Sequence, residues 1–184
     1  MVLLNTPICD FDKKIIKFSL LSINNDIVDL DDFVGKKGTL IMFICNHCPY
    51  VKAIIKELVI TTEVLETMGV NTIAIMSNDT KKYPEDSFEN MKKFSKTYNF
   101  KFPYLYDEDQ SVAKNYGAVC TPDFFGYDKD GALKYRGRFK ELINLKPVEN
   151  AENELLDAFK EITEKFEPPK KQNPSIGCSI KWLD

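Results

Sequence analysis

The chain has 184 residues, enough for one domain that buries its own core without disulfide staples. Its 25 basic and 28 acidic residues leave a formal net charge of -3, and the basic ones are scattered, which argues against nucleic acid or an anionic membrane as a partner. Apolar runs such as 40–44 fall far short of the roughly 20 residues a spanning helix needs, and five cysteines, an odd number, suit a secreted disulfide scaffold poorly.

The opening residues, Met1-Val2-Leu3-Leu4-Asn5-Thr6-Pro7, lack the basic start and long apolar stretch of a secretory signal, so the expected location is cytoplasmic. Residues 15–23 and 27–30 have short β-leaning patterns on either side of Asn24-Asn25-Asp26 and predict an N-terminal hairpin. After the break at Gly35-Lys36-Lys37-Gly38, Leu40-Ile41-Met42-Phe43-Ile44 reads as a strand buried on both faces. From Pro49 onward Val51, Ile54, Ile55, Leu58, Leu65 and Met68 recur at helical spacing until Gly69. Residues 70–76 are then the next buried strand, completing a β-α-β unit with parallel strands. Pro84 opens a second helix with Phe88, Met91, Phe94 and Tyr98 on one face. A short strand over 104–106 and a short helix over about 108–116, ended by Gly117, follow. Strands at 124–127 and 133–135 flank Asp128-Lys129-Asp130-Gly131, whose Asp-Gly pair is a hairpin signal, so the sheet ends antiparallel. A last amphipathic helix carries Val148, Ala151, Leu155, Phe159 and Ile162, and beyond Pro168-Pro169 the chain is proline-rich and polar. These elements predict an α/β fold: a central mixed β-sheet flanked by helices, in one domain over 1–167. An N-terminal β-hairpin extends it, and an irregular C-terminal tail over 168–184 packs on or near it.

The chemistry concentrates where the 40–44 strand meets the helix, at Cys45-Asn46-His47-Cys48. Two cysteines three positions apart at a helix start are close enough to close a small disulfide ring, and C-x-x-C beside a β-α-β pattern reads as a redox motif. Cys45, at the junction and open to partners, is the expected attacker, and Cys48, one turn inside and shielded, the resolver. The thiolate is the reactive form. The helix N-terminus, with Asn46 as its N-cap, favours an anion there, and His47, the only histidine, can give Cys45 a hydrogen bond or a positive charge. Cys45, His47 and Cys48 are also three soft metal ligands, which Cys120 or Cys178 would complete. A second paired-ligand motif is missing, so no metal and no cofactor is expected. Cys9 reads as core, and Lys52, Arg136 and Arg138 read as solvated sooner than as sources of positive potential.

Three segments, Cys45-Asn46-His47-Cys48-Pro49-Tyr50-Val51, Cys120-Thr121-Pro122-Asp123-Phe124-Phe125 and Pro174-Ser175-Ile176-Gly177-Cys178-Ser179-Ile180-Lys181-Trp182, resemble the thioredoxin-like redoxins of the AhpC/TSA assembly. Within it the likeness is to the TlpA and ResA type of thiol-disulfide oxidoreductase, over almost the whole chain. The resemblance implies a thioredoxin-like fold with Thr121-Pro122 as a cis peptide facing the dithiol. It further implies that the Thr121 backbone pairs with an extended substrate segment, while Pro122 keeps an N–H and metals away from the sulfurs. On the residues alone, cis and an ordinary trans turn both stay open.

Thioredoxin has Gly-Pro where this chain has Asn46-His47, and His47 stands where the oxidant DsbA has its histidine. That likeness implies an acidic Cys45 and a disulfide more oxidising than thioredoxin's. The implied activity is reduction, oxidation or isomerisation of disulfides through Cys45 and Cys48, acting on protein or small-molecule thiols and disulfides. A thiol-dependent peroxidase is the competing enzyme, although Met42 and Cys45 stand where its orienting threonine would, three residues before Cys45 and Cys48. A metal-binding protein or metallochaperone using Cys45, His47 and Cys48 is the third alternative. Cys120 is either a third thiol or a small buried residue. Cys178 is either a second resolving cysteine or a bystander in a tail anchored by Ile180 and Trp182.

Overall fold

The structure, a computed structural model, describes residues 2–165 and 167–184. Its elements in chain order are β1 (Leu3–Asn5), β2 (Ser19–Ser22), β3 (Ile27–Asp29), β4 (Gly38–Phe43), α1 (Pro49–Thr67), β5 (Val70–Met76), α2 (Phe88–Tyr98) and β6 (Tyr104–Tyr106). They continue with α3 (Ser111–Tyr116), β7 (Cys120–Thr121), β8 (Asp123–Asp128), β9 (Leu133–Tyr135), β10 (Leu142–Ile143), β11 (Lys146–Pro147), α4 (Glu154–Lys165) and β12 (Ile176–Ser179).

Seven strands make a mixed sheet in the order β3-β2-β6-β5-β4-β8-β9. Strands β4 and β5 run parallel, as the β-α-β unit predicts, and β6 runs parallel to β5; β8 pairs antiparallel with β9 across the Asp-Gly turn, as expected, and also lies antiparallel to β4. Every residue of β4 is buried because its alternating side chains feed two cores. Leu40, Met42 and Ile44 join the apolar faces of α1, α2 and α4, whereas Ile41 and Phe43 pack with Tyr116 and Val112 of α3. Each such side chain contributes about 1.5–3 kcal/mol by leaving water, which fixes the end of β4, and hence the cysteines after it, in a rigid place.

Local differences from the sequence reading have local causes. The N-terminal hairpin of β2 and β3 is present as expected, and it extends the main sheet itself through the pairing of β2 with β6. Pro84 opens a 3-10 turn over Pro84–Asp86, and α2 starts at Phe88. The first turn expected of the third helix is instead a loop in which the Asp107 carboxylate accepts the Val112 and Ala113 N–H groups, so α3 begins at Ser111. Val148 and Ala151 precede α4, whose start is marked by the Asn153 side chain accepting the Leu156 N–H at 3.0 Å. Arg136 is not solvated: it pairs with buried Asp123 at 2.9 Å and stacks on the Phe125 ring. The tail, expected to be irregular, contains β12, which pairs on one edge with β1 and on the other with β7.

Candidate active site

Pro49 is the first residue of α1, so the N-cap is Cys48, not Asn46, and Cys48 stands at the helix start and not one turn inside. Proline fits that first position because its missing N–H would have had no helical partner. Asn46 is held sideways instead: its amide donates to the Glu85 carbonyl at 3.1 Å and accepts from the Tyr104 hydroxyl at 3.0 Å.

Cys45 and Cys48 are both buried, 1% and 0% exposed, so the expected open face of Cys45 is covered. The Thr121–Pro122 peptide is cis and lies against both sulfurs. Cys45 Sγ faces Thr121 Oγ1 at 3.3 Å, and the Cys48 thiol donates to the Thr121 carbonyl at 3.1 Å. The Thr121 edge that the resemblance offered to a substrate segment is occupied by the chain's own β12. Cys178 sits opposite Thr121 and Ser179 opposite Cys120. The strand lies close over the cis peptide: a Cβ on Gly177 would stand 2.1 Å from the Thr121 carbonyl oxygen, so only glycine fits without movement. Ser175 Oγ donates to the Pro122 carbonyl at 2.8 Å, the Ile180 N–H to the Val119 carbonyl at 3.1 Å, and the Lys181 N–H to Asn78 Oδ1 at 2.9 Å. This register places Cys178 Sγ 3.0 Å from Cys48 Sγ.

Three sulfurs thus meet with Cys48 in the middle. Hydrogen bonds from the Cys178 and Cys45 thiols, helped by the Val51 amide at the helix start, hold the Cys48 thiol well below its usual range against the cost of burial. A thiolate there gives up its thiol's bond to the Thr121 carbonyl. The Cys45 thiol is pushed up by its hydrogen bond with Cys48, then by burial and by the negative charge of Asp86. Cys178 is raised by its bond to Cys48 and by burial.

Asp86 is the residue the sequence reading missed. Fully buried, it accepts the N–H groups of Asn46 and His47 on Oδ1, at 2.8 and 3.3 Å, and the Asn78 amide on Oδ2 at 2.7 Å. Its Oδ2 also lies 2.7 Å from His47 Nδ1, which is 3.9 Å from Cys45 Sγ. The hydrogen bond to Asp86 raises the His47 pKa above its ordinary 6.5. His47 therefore spends its ring nitrogen on a carboxylate, and the acidic Cys45 inferred from the oxidant likeness is not what these contacts produce. The only sequence hint of Asp86 is the proline-led acidic turn Pro84-Glu85-Asp86.

Cys45 Sγ, His47 Nδ1 and a carboxylate oxygen of Asp86 lie within 4.8 Å of one another, a possible metal-ligand set among the described residues. Cys48 is not in it, and the Asp86 oxygen already has two partners. Cys120 is buried with Sγ 3.7 Å from the Pro122 carbonyl, and burial raises its pKa. Cys9 is buried in the second core, its thiol pushed up to about 12. Lys52 is exposed, and Arg138 pairs with Glu154 at 2.7 Å.

The AhpC/TSA family matches residues 11–136. The thiol-disulfide oxidoreductase ResA of Bacillus thuringiensis subsp. konkukian is 29% identical over 127 residues, 67% of each chain. A conserved protein of Geobacillus kaustophilus has a crystal structure that covers 100% of this chain and 97% of its own, with 42% identity and a TM-score of 0.92. The thioredoxin domain of a Bacteroides vulgatus thiol-disulfide oxidoreductase superposes with a TM-score of 0.63 at 15% identity, over 84% of this chain and 98% of that one, which shows a shared thioredoxin fold.

Proposed function

The chain belongs to the AhpC/TSA family and is a thiol-disulfide oxidoreductase, and we propose that Cys45 is its nucleophile and Cys48 its resolving thiol. The Cys45 thiolate attacks one sulfur of a substrate disulfide, forming a mixed disulfide and releasing the first substrate thiolate. Cys48 then attacks Cys45 Sγ, closing the Cys45–Cys48 disulfide and releasing the second thiolate. Two electrons pass to the substrate, whose thiolates take up protons from solvent. Thr121 Oγ1, in contact with Cys45 Sγ, donates a hydrogen bond to the developing thiolate, and Pro122 shapes the edge beside it.

The observation that supports this reading is the pair of cysteines at the end of β4 with the cis Thr121–Pro122 peptide against both sulfurs. The substrates are disulfides of proteins or of small thiols. No helix of the described residues is long and apolar enough to cross a membrane. A cytoplasmic address belongs to the same reading and rests on the odd cysteine count, which suits a compartment that keeps thiols reduced.

Reduction of insulin by dithiothreitol tests the proposal. The protein is expected to accelerate it, and Cys48→Ser is expected to accumulate a mixed disulfide with an insulin chain that mass mapping places on Cys45. Failure to accelerate, or an adduct on another cysteine, would remove the assignment.

A further inference from the structure

Resting on that reading, the geometry points to Cys178 as a third redox-active thiol, which takes the disulfide over from Cys45–Cys48 by forming a bond to Cys48. A disulfide needs an S–S distance of about 2.05 Å. The Cys48 and Cys178 sulfurs, 3.0 Å apart, need close by only roughly 1 Å more.

That proximity is built, not incidental. Cys178 is the β12 residue registered on Thr121, whose carbonyl and hydroxyl face Cys48 and Cys45. Gly177 lets the strand descend onto the cis peptide, and Ser175, Ile180 and Lys181 tie it down on both sides of the cysteine. Cys178 is 1% exposed, so its sulfur is sealed in with the dithiol and away from external thiols. Packing alone explains a small buried residue at this position. It does not explain a sulfur aimed at the resolving sulfur from a strand held by glycine and side-chain anchors. Cys120, the other candidate, faces the Pro122 carbonyl instead.

After Cys45–Cys48 has formed at the expense of a substrate disulfide, the Cys178 thiolate attacks Cys48 Sγ. The Cys48–Cys178 bond forms, the Cys45–Cys48 bond breaks, and Cys45 departs as a thiolate that takes up the proton Cys178 gave up. No electron enters or leaves the protein in this step. Its result is a reduced Cys45, with the oxidised Cys48–Cys178 pair held between α1 and the tail.

The test is disulfide mapping. Trypsin places Cys45 and Cys48 in residues 38–52, Cys178 in 172–181 and Cys120 in 115–129. The unsubstituted protein, oxidised with one equivalent of diamide and blocked with iodoacetamide, is expected to yield 38–52 joined to 172–181 and carrying one alkyl group on Cys45. Cys45→Ser, treated alike, should give the same joined pair at a mass two hydrogens below the sum of its parts. An unsubstituted protein with no joined pair, its disulfide confined to 38–52, overturns the transfer, and so does joining of 38–52 to 115–129. Insulin reduction is read separately: a joined pair without insulin reduction counts against the enzyme's proposed nucleophile and leaves the Cys178 assignment standing.

Discussion

Gly177→Val is expected to speed alkylation of Cys45 and Cys48 by iodoacetamide on the order of 100-fold, the factor that about 2.7 kcal/mol of docking free energy represents. Both sulfurs are buried, so a reagent reaches them only in molecules whose β12 has lifted from β7. The first side-chain carbon at position 177 would stand 2.1 Å from the Thr121 carbonyl oxygen, 2.6 Å from its carbon and 3.1 Å from the Pro122 nitrogen. All three are backbone atoms in the segment that touches the dithiol, so the strand must give way. Opposing this is the anchoring of the tail, where burial of Ile180 alone contributes about 1.5–3 kcal/mol. Rates measured site by site by mass spectrometry, at matched pH and temperature, decide the matter. Equal rates in the two proteins would mean that something other than β12 covers the sulfurs.

On that expectation, docking of the tail and access of a substrate are alternatives. Docked, the strand fills the Thr121 edge and presents Cys178 to Cys48, and the sulfur cluster concentrates its negative charge on Cys48 and raises Cys45. Lifted, it takes the Cys178 thiol away from Cys48 and opens Cys45. A substrate disulfide therefore meets the lifted form, and internal exchange belongs to the docked one.

What the sequence made legible was local. The apolar run 40–44, the helical spacing after Pro49 and the Asp-Gly turn each carry their own period or turn chemistry, and each became the expected element. The dithiol was legible for the same reason. The N-cap was misplaced because Asn46 is a better capping residue than cysteine, yet Pro49 at the first helical position had already fixed the boundary at Cys48. Pro84 misled in the opposite direction, because proline opens 3-10 turns as readily as helices. The remainder lies in contacts across long sequence separations. Asp86 reaches Asn46 across 40 positions, and Cys178 reaches Cys48 across 130. No spacing rule links such residues, and a short strand in a proline-rich tail has too few residues to show a period.

Asp86→Asn is expected to lower the His47 pKa from above 6.5 to that value or below, read as the titration of the protein's single histidine ring by NMR. In the native site a carboxylate oxygen holds Nδ1 at 2.7 Å and favours the protonated ring, while burial opposes it. An amide keeps the two backbone N–H bonds on its oxygen but turns an N–H toward the imidazole, which then accepts it only when neutral. The linkage follows from the direction of the shift. A histidine whose pKa is higher folded than unfolded adds stability in full below pH 6.5, and that addition fades as pH rises through the folded value. Native stability should thus show this fall above pH 6.5 and the variant should not, with a cost below it of about 1.5–3 kcal/mol for losing a charged hydrogen bond. One further consequence separates an electrostatic role from a merely structural one. Removing the Asp86 charge withdraws one of the influences that raise Cys45, so the pH midpoint for Cys45 alkylation should move down. The new amide also meets the Asn78 amide donor-to-donor, and if Asn78 flips to avoid this it releases the Lys181 N–H, loosening the tail. A variant whose histidine titrates as in the native protein would show that His47 does not depend on Asp86 for its charge.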